Sequence, residues 1–80
     1  MTDNEAKLID CFVQGLGIEA GLVTDDLTYN SVRQWDSVGH MALMTEIETV
    51  FDIMLDTEDI IGLSSVAKAK ALLVKYGVAI

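Results

Sequence analysis

Apolar residues recur every three or four positions in three stretches of this chain, while strand-type alternation is scarce. That period points each stretch toward an amphipathic helix. The first runs from about Asn4 to Leu16, with Leu8, Ile9, Phe12, Val13 and Leu16 on one face. Asp3 or Asn4 can cap it, Glu5 suits the positive end of its dipole, and Gly15 and Gly17 supply its stop. The second opens at Ser37 and continues to about Phe51. The third starts near Ser65, a suitable N-cap, and continues to Tyr76 before Gly77. Val66, Ala69, Leu72, Leu73 and Tyr76 give its inner face. Between these two, Asp52 and Asp56 bracket a connector, and TEDIIGL (Thr57 to Leu63) reads as a helix of one or two turns. Proline is absent. The expected fold class is all-α: a bundle of three main helices plus one short helix, with a long first loop.

That loop, residues 18 to 35, has no sustained period. Loops of this length in a small domain are uncommon and often functional. Leu22, Leu27, Tyr29, Val32 and Trp35 are scattered through it, and suggest that it is pinned to the core.

With 80 residues, 51% of them apolar, the chain suits one small folded domain spanning residues 1–80. The formal net charge is −8, so nucleic acid and anionic membrane surfaces are unsuited as partners. A basic partner surface is the natural complement. Cys11 is the only cysteine, which rules out an internal disulfide and fits a reducing cytosol. It lies away from the centre of the first helix's apolar face and reads as an incidental thiol. MTDNEAKL lacks the basic region and apolar run of a signal peptide, and the longest apolar runs are too short to span a bilayer. We expect a free-standing cytoplasmic protein. No long heptad or large apolar patch demands a second copy, so a monomer is expected.

The second helix carries two apolar stripes. Leu43, Met44, Ile47, Val50 and Phe51 gather on the core side. Val38, Met41 and Ala42 lie opposite, Thr45 and Thr49 continue that line, and Glu46 and Glu48 flank it. A helix serving only a core is polar on its outer face. The outer stripe is therefore either a set of ordinary exposed hydrophobes, some packed on the long loop, or a docking strip steered by acids. Charge is polarised in the same sense. No Lys or Arg occurs from Gln34 to Ala67, where Asp36, Glu46, Glu48, Asp52, Asp56, Glu58 and Asp59 all fall. Lys68, Lys70 and Lys75 sit on the last helix.

Ser37 stands at the head of the longest helix, directly after Asp36. A helix N-terminus has open N–H groups and a partial positive charge, and favours a phosphate. The alternative is that Ser37 or Asp36 is simply an N-cap. A hydrolytic role fits poorly. His40 lies one turn on, but G-x-S-x-G is absent and nothing is set to orient a base. We therefore expect no catalytic residue. His40 lacks a second histidine or a cysteine pair, and Asp56, Glu58 and Asp59 lack calcium-loop spacing, so no metal site is expected. His40 reads as a surface residue beside the outer stripe.

WDSVGHMALMTEIETVFDI followed by EDIIGLSSVAKAKALL resembles the acyl carrier proteins over nearly the whole chain. Their hallmark is Asp-Ser-Leu or a close variant opening the second helix. Here it is Asp36-Ser37-Val38, accompanied by F-D-I-x-L, E-D-I-x-x-L and a Ser-Val start to the last helix. The W-D-S-x-G-H form resembles discrete carriers used outside bulk fatty acid synthesis. The resemblance implies an acyl-carrier-like bundle that is itself no enzyme. A phosphopantetheinyl transferase using Mg²⁺ would attach 4′-phosphopantetheine to Ser37. The arm would carry an acyl group as a thioester to loading, ketosynthase or acyltransferase-type enzymes with basic docking surfaces, in fatty acid, polyketide or related secondary-metabolite biosynthesis. Asp36, Val38, Met41, Glu46 and Glu48 fall where family members contact partners. Met44, Met54, Ile60, Ile61 and Leu63 are candidate liners of an acyl cavity, or ordinary core.

The chain also departs from the family. Ala42 and Thr49 stand where acids are common, and Gly39 and His40 where polar or acidic residues are. Gly39 is expected to weaken the first turn, by up to about 1 kcal/mol relative to alanine, with local mobility near Ser37. An aminoacyl or peptidyl carrier, which shares the fold and arm, and an acidic helical interaction module without cofactor remain as alternatives.

Overall fold

The computed structural model describes residues 3–80. It is helical throughout its regular elements: α1 (Asp3–Leu16), a short 3₁₀ turn (Ala20–Leu22), α2 (Ser37–Phe51), α3 (Thr57–Gly62) and α4 (Val66–Lys75). No helix among the described residues is long and apolar enough to cross a membrane. Three main helices, a short one and a long first loop match the periodicity. The signals that end the helices are local. Gly17 and Gly77 adopt positive φ, 69° and 84°, just beyond α1 and α4, where a side chain would be strained. Asp52 closes α2 in the left-handed region at φ 52°. Ser65 caps α4, its hydroxyl accepting the Lys68 amide at 3.0 Å. Asp3 is already helical, so the capping role expected of Asp3 or Asn4 is not theirs. Asn4 instead donates its side-chain amide to the Ala79 carbonyl at 2.7 Å and ties the C-terminal segment to α1.

One connected core fills the bundle. Phe12, Trp35 and Leu43 are fully inaccessible, and Leu8, Met44, Ile47, Leu63, Val66 and Leu73 are nearly so. Phe12 and Trp35 meet edge to face with centroids 5.2 Å apart. α1 and α2 approach very closely at Gly15. A Cβ there would sit 2.8 Å from the Leu43 Cα, so this glycine is a packing residue inside α1, and Gly17 alone provides the stop.

The long loop is pinned, as its hydrophobes suggest, but by a different subset. Ile18, Val23, Leu27 and Trp35 are buried and Val32 is half-buried, whereas Leu22 and Tyr29 are exposed. The loop also borrows backbone partners from the start of α4. The Tyr29 amide donates to the Ser64 carbonyl at 2.9 Å, and the Val66 amide to the Leu27 carbonyl at 3.0 Å. This isolated bridge pairs backbone groups of the loop with those at the start of α4.

Two expectations for single residues fail. Cys11 is in the core at 1% exposure, because α1 is covered on more of its circumference than its apolar stripe alone requires. Val50, near the C-terminal end of α2, is exposed at 39%, so it is not a core residue.

Candidate functional site

The head of α2 is built by Asp36. Its backbone is extended, its carboxylate accepts the Gly39 amide at 2.8 Å, and its carbonyl accepts the His40 amide at 2.8 Å. Asp36 is thus the N-cap, and Ser37 is the first helical residue. The Ser37 side chain is exposed and has no hydrogen-bond role among the described residues. The amides of Ser37 and Val38 lie at the open end of the helix.

Gly39 has a packing reason. A Cβ there would collide with the Gln34 carbonyl oxygen and lie 3.2 Å from the Leu16 Cδ2. Its missing side chain lets the incoming loop lie against α2, a packing role that helix propensity alone does not reveal.

His40 is no bystander on the surface. It is half-buried, and its ring joins three elements. The Trp35 indole N–H donates to His40 Nδ1 at 2.9 Å, and His40 Nε2 lies 2.6 Å from the Ile60 carbonyl oxygen on α3. An indole N–H only donates and a carbonyl only accepts, so the ring holds its hydrogen on Nε2. The Trp35 and His40 rings lie nearly parallel, 16° apart with centroids separated by 6.2 Å, as the in-plane hydrogen bond requires, and Tyr29 meets the imidazole edge-on at 5.6 Å. Both ring nitrogens are committed, so His40 does not engage the Ser37 hydroxyl.

Beside Ser37 lies a cavity of about 370 Å³. Ser37, His40 and Met41 of α2 form one wall, Ile60 and Ile61 of α3 another, and Tyr29, Leu63 and Ser64 complete it. The candidate liners Ile60, Ile61 and Leu63 are there. Met44 is instead sealed in the core, and Met54 is 83% exposed on the connector. Tyr29, His40 and Ser64 were not legible as liners. Tyr29 reads as a loop anchor, and only the bridge between the loop and the start of α4 carries it to the cavity.

The outer stripe of α2 is open. Val38 is 78% and Met41 55% accessible, and Ala42, Thr45 and Thr49 are exposed as well. Asp36, Val38 and Met41 therefore cluster around Ser37. Glu46 and Glu48 do not join them and are half-buried. Glu48 accepts the Leu55 amide at 2.9 Å, which holds the connector after α2. Glu46 acts on the Cys11 thiol. Burial, with Glu46 and Asp10 adding to it, pushes that thiol up to about 12.

A second cavity, about 390 Å³, separates α3 from α4 and is rimmed by Glu58, Asp59, Lys68 and Lys75. Two of these charges, Asp59 and Lys75, pair with each other. Asp59 accepts from the Tyr76 hydroxyl at 2.6 Å and from Lys75 Nζ at 3.0 Å, and these bonds hold its carboxyl below the usual range. The Tyr76 oxygen in turn accepts the Asp56 amide at 3.1 Å. Among the described residues, no group of three His, Cys, Asp or Glu could hold a metal ion.

Comparison of the chain with family models, with curated proteins and with solved structures returned no match.

Proposed function

We propose that this chain is an acyl carrier protein whose four-helix arrangement is the acyl-carrier fold. The observation that carries the reading is the division of labour at the head of α2. Asp36 does the capping, which leaves Ser37 an exposed hydroxyl in the first helical turn. The site suits a phosphodiester: the open amides and dipole of that turn favour the added negative charge. Ser37 would hold 4′-phosphopantetheine, transferred from coenzyme A by a phosphopantetheinyl transferase with Mg²⁺. Once attached, the arm supplies the thiol on which an acyl group travels as a thioester.

The surroundings support the same reading. Ser37 lies on the wall of a largely apolar cavity, so an arm or short acyl chain rooted there has somewhere to fold back. Val38 and Met41 are exposed beside it with Asp36 between them and the loop, which suits a partner enzyme offering an apolar spot within a basic surface. Loading, ketosynthase and acyltransferase-type enzymes are such partners. Glu46 and Glu48 contribute through overall negative charge more than through direct contact, since Glu48 is engaged within the chain. The protein would work as a cytoplasmic monomer, be a substrate rather than a catalyst, and serve fatty acid, polyketide or related biosynthesis.

The test is intact mass after incubation with coenzyme A, Mg²⁺ and a broad-specificity transferase, beside Ser37→Ala. A gain of one phosphopantetheine in the wild type alone is the expected result. No gain with several transferases, on a folded chain, would sink the proposal in favour of a cofactor-free interaction module. Loading by an adenylating enzyme with an amino acid in place of an acyl group would move the protein to the aminoacyl carriers.

A further inference from the structure

Trp35 is completely buried, and its indole N–H is a donor that needs an acceptor. Nδ1 of His40 is that acceptor, and Nε2 of the same ring donates to the Ile60 carbonyl. Hydrogen bonds thus run in one direction, from Trp35 at the end of the loop, through His40 of α2, to the backbone of α3. Only one neutral tautomer of the imidazole can serve both ends.

We propose that His40 is a proton-operated latch that couples the long loop to α3 and sets the shape of the cavity beside Ser37. An imidazolium carries a hydrogen on both nitrogens. Its Nδ1–H would face the Trp35 N–H, donor against donor. The bond from Nε2–H to Ile60 would survive and gain charge assistance. Protonation therefore cuts the chain at Trp35 and leaves a buried N–H unpaired, so the ring must turn or move away together with α3. His40, Ile60 and Ile61 all line the cavity, so the proton also resets its wall.

Each element around the ring bears on this switch. The loop presents the Tyr29 phenol, edge-on at 5.6 Å, and the Trp35 indole. α2 itself presents Asp36, whose carboxylate takes the Gly39 amide. On α3, Asp59 precedes Ile60 in sequence, but its carboxylate is bonded to Tyr76 and Lys75. Among the described residues no carboxylate pairs with the imidazole. With no ion pair to hold the imidazolium in place, release of the Trp35 contact is the local response to the donor–donor clash. This mechanism rests on the Trp35–His40–Ile60 geometry alone and stands or falls separately from the carrier reading.

The test is nitrogen-15 NMR of the unmodified wild-type chain from about pH 8 to about pH 5, the range in which histidine charge ordinarily changes. Long-range imidazole spectra at the upper end should show the Nε2–H tautomer. The Trp35 indole and the Ile60 and Ile61 amides should then shift on one sigmoid with the ring carbons of His40, and the Trp35 fluorescence should follow it. His40→Gln should abolish that sigmoid. An Nδ1–H tautomer, or Trp35 and α3 resonances that stay still while His40 titrates, would overturn the latch. So would a sigmoid that persists unchanged in His40→Gln. The wild-type arm is decisive even where the variant folds poorly.

Discussion

Replacing Gly39 by alanine reverses the sign that helix propensity assigns to it. In an open helix interior the change stabilises by up to about 1 kcal/mol. At this position the new Cβ would run into the Gln34 carbonyl oxygen, with the Gln34 carbonyl carbon and Leu16 Cδ2 both 3.2 Å away. No rotamer change can clear a backbone oxygen. Either the first turn of α2 or the chain leading into it must shift. That chain is anchored, because Trp35 is fully buried, its carbonyl accepts the Asn30 amide at 2.9 Å, and its amide donates to Val32 at 3.1 Å. Overpacking costs about 1–3 kcal/mol, and a backbone clash belongs toward the upper end. Setting the propensity gain against it leaves a net loss of about 1–2 kcal/mol. For a domain of this size each kcal/mol is worth about 4–8 °C, so Gly39→Ala should melt roughly 5–15 °C below the wild type. Thermal and urea unfolding followed by far-ultraviolet circular dichroism, with Trp35 fluorescence as a second probe, measures it. Gly62→Ala is the control, since nothing lies within 4 Å of the added carbon, and its stability should be unchanged or slightly higher. If Gly39→Ala melts at or above the wild type, the steric argument is refuted and the glycine serves flexibility after all.

Two further outcomes follow from the side-chain chemistry. Asp59 is held below its ordinary 3.8 by the Tyr76 hydroxyl first and Lys75 second, so its contribution is complete above that value and lost as pH falls through the lower folded one. Tyr76→Phe removes the larger cause; urea unfolding below about pH 5 should therefore show a shallower acid loss than in the wild type, and parallel acid limbs would contradict the assignment. Cys11, with its thiol pushed up to about 12 by burial, should resist a disulfide-exchange reagent in native protein at about pH 8 and react fully in denaturant. Reaction of the native chain at the rate of a free thiol would show that α1 does not keep it covered.

The helices themselves were legible in the sequence, since each is written in local terms. Leu8, Phe12 and Leu16 share a face by spacing alone, Ser65 caps by its own hydroxyl, and Gly17 and Gly77 stop a helix by their own backbone freedom. The place of Ser37 at the head of the longest helix was equally local, as was the outward direction of Val38 and Met41, which follows from turning 100° per residue. What the tertiary structure decided are contacts between residues that spacing cannot pair. Cys11 counts as core because α1 is covered beyond its stripe, while Val50, on the right stripe, is left exposed. Gly15 and Gly39 read as a stop and a weak point, and each proves to be where another backbone comes too close for a Cβ. Asp36 and Ser37 were rivals for the cap until the Asp36 carboxylate met the Gly39 amide. His40 carried no periodic signal at all, because its partners lie on the loop and on α3. Periodicity reports which side of a helix is apolar. Which backbone, ring or carbonyl arrives on that side is set only when the chain closes on itself.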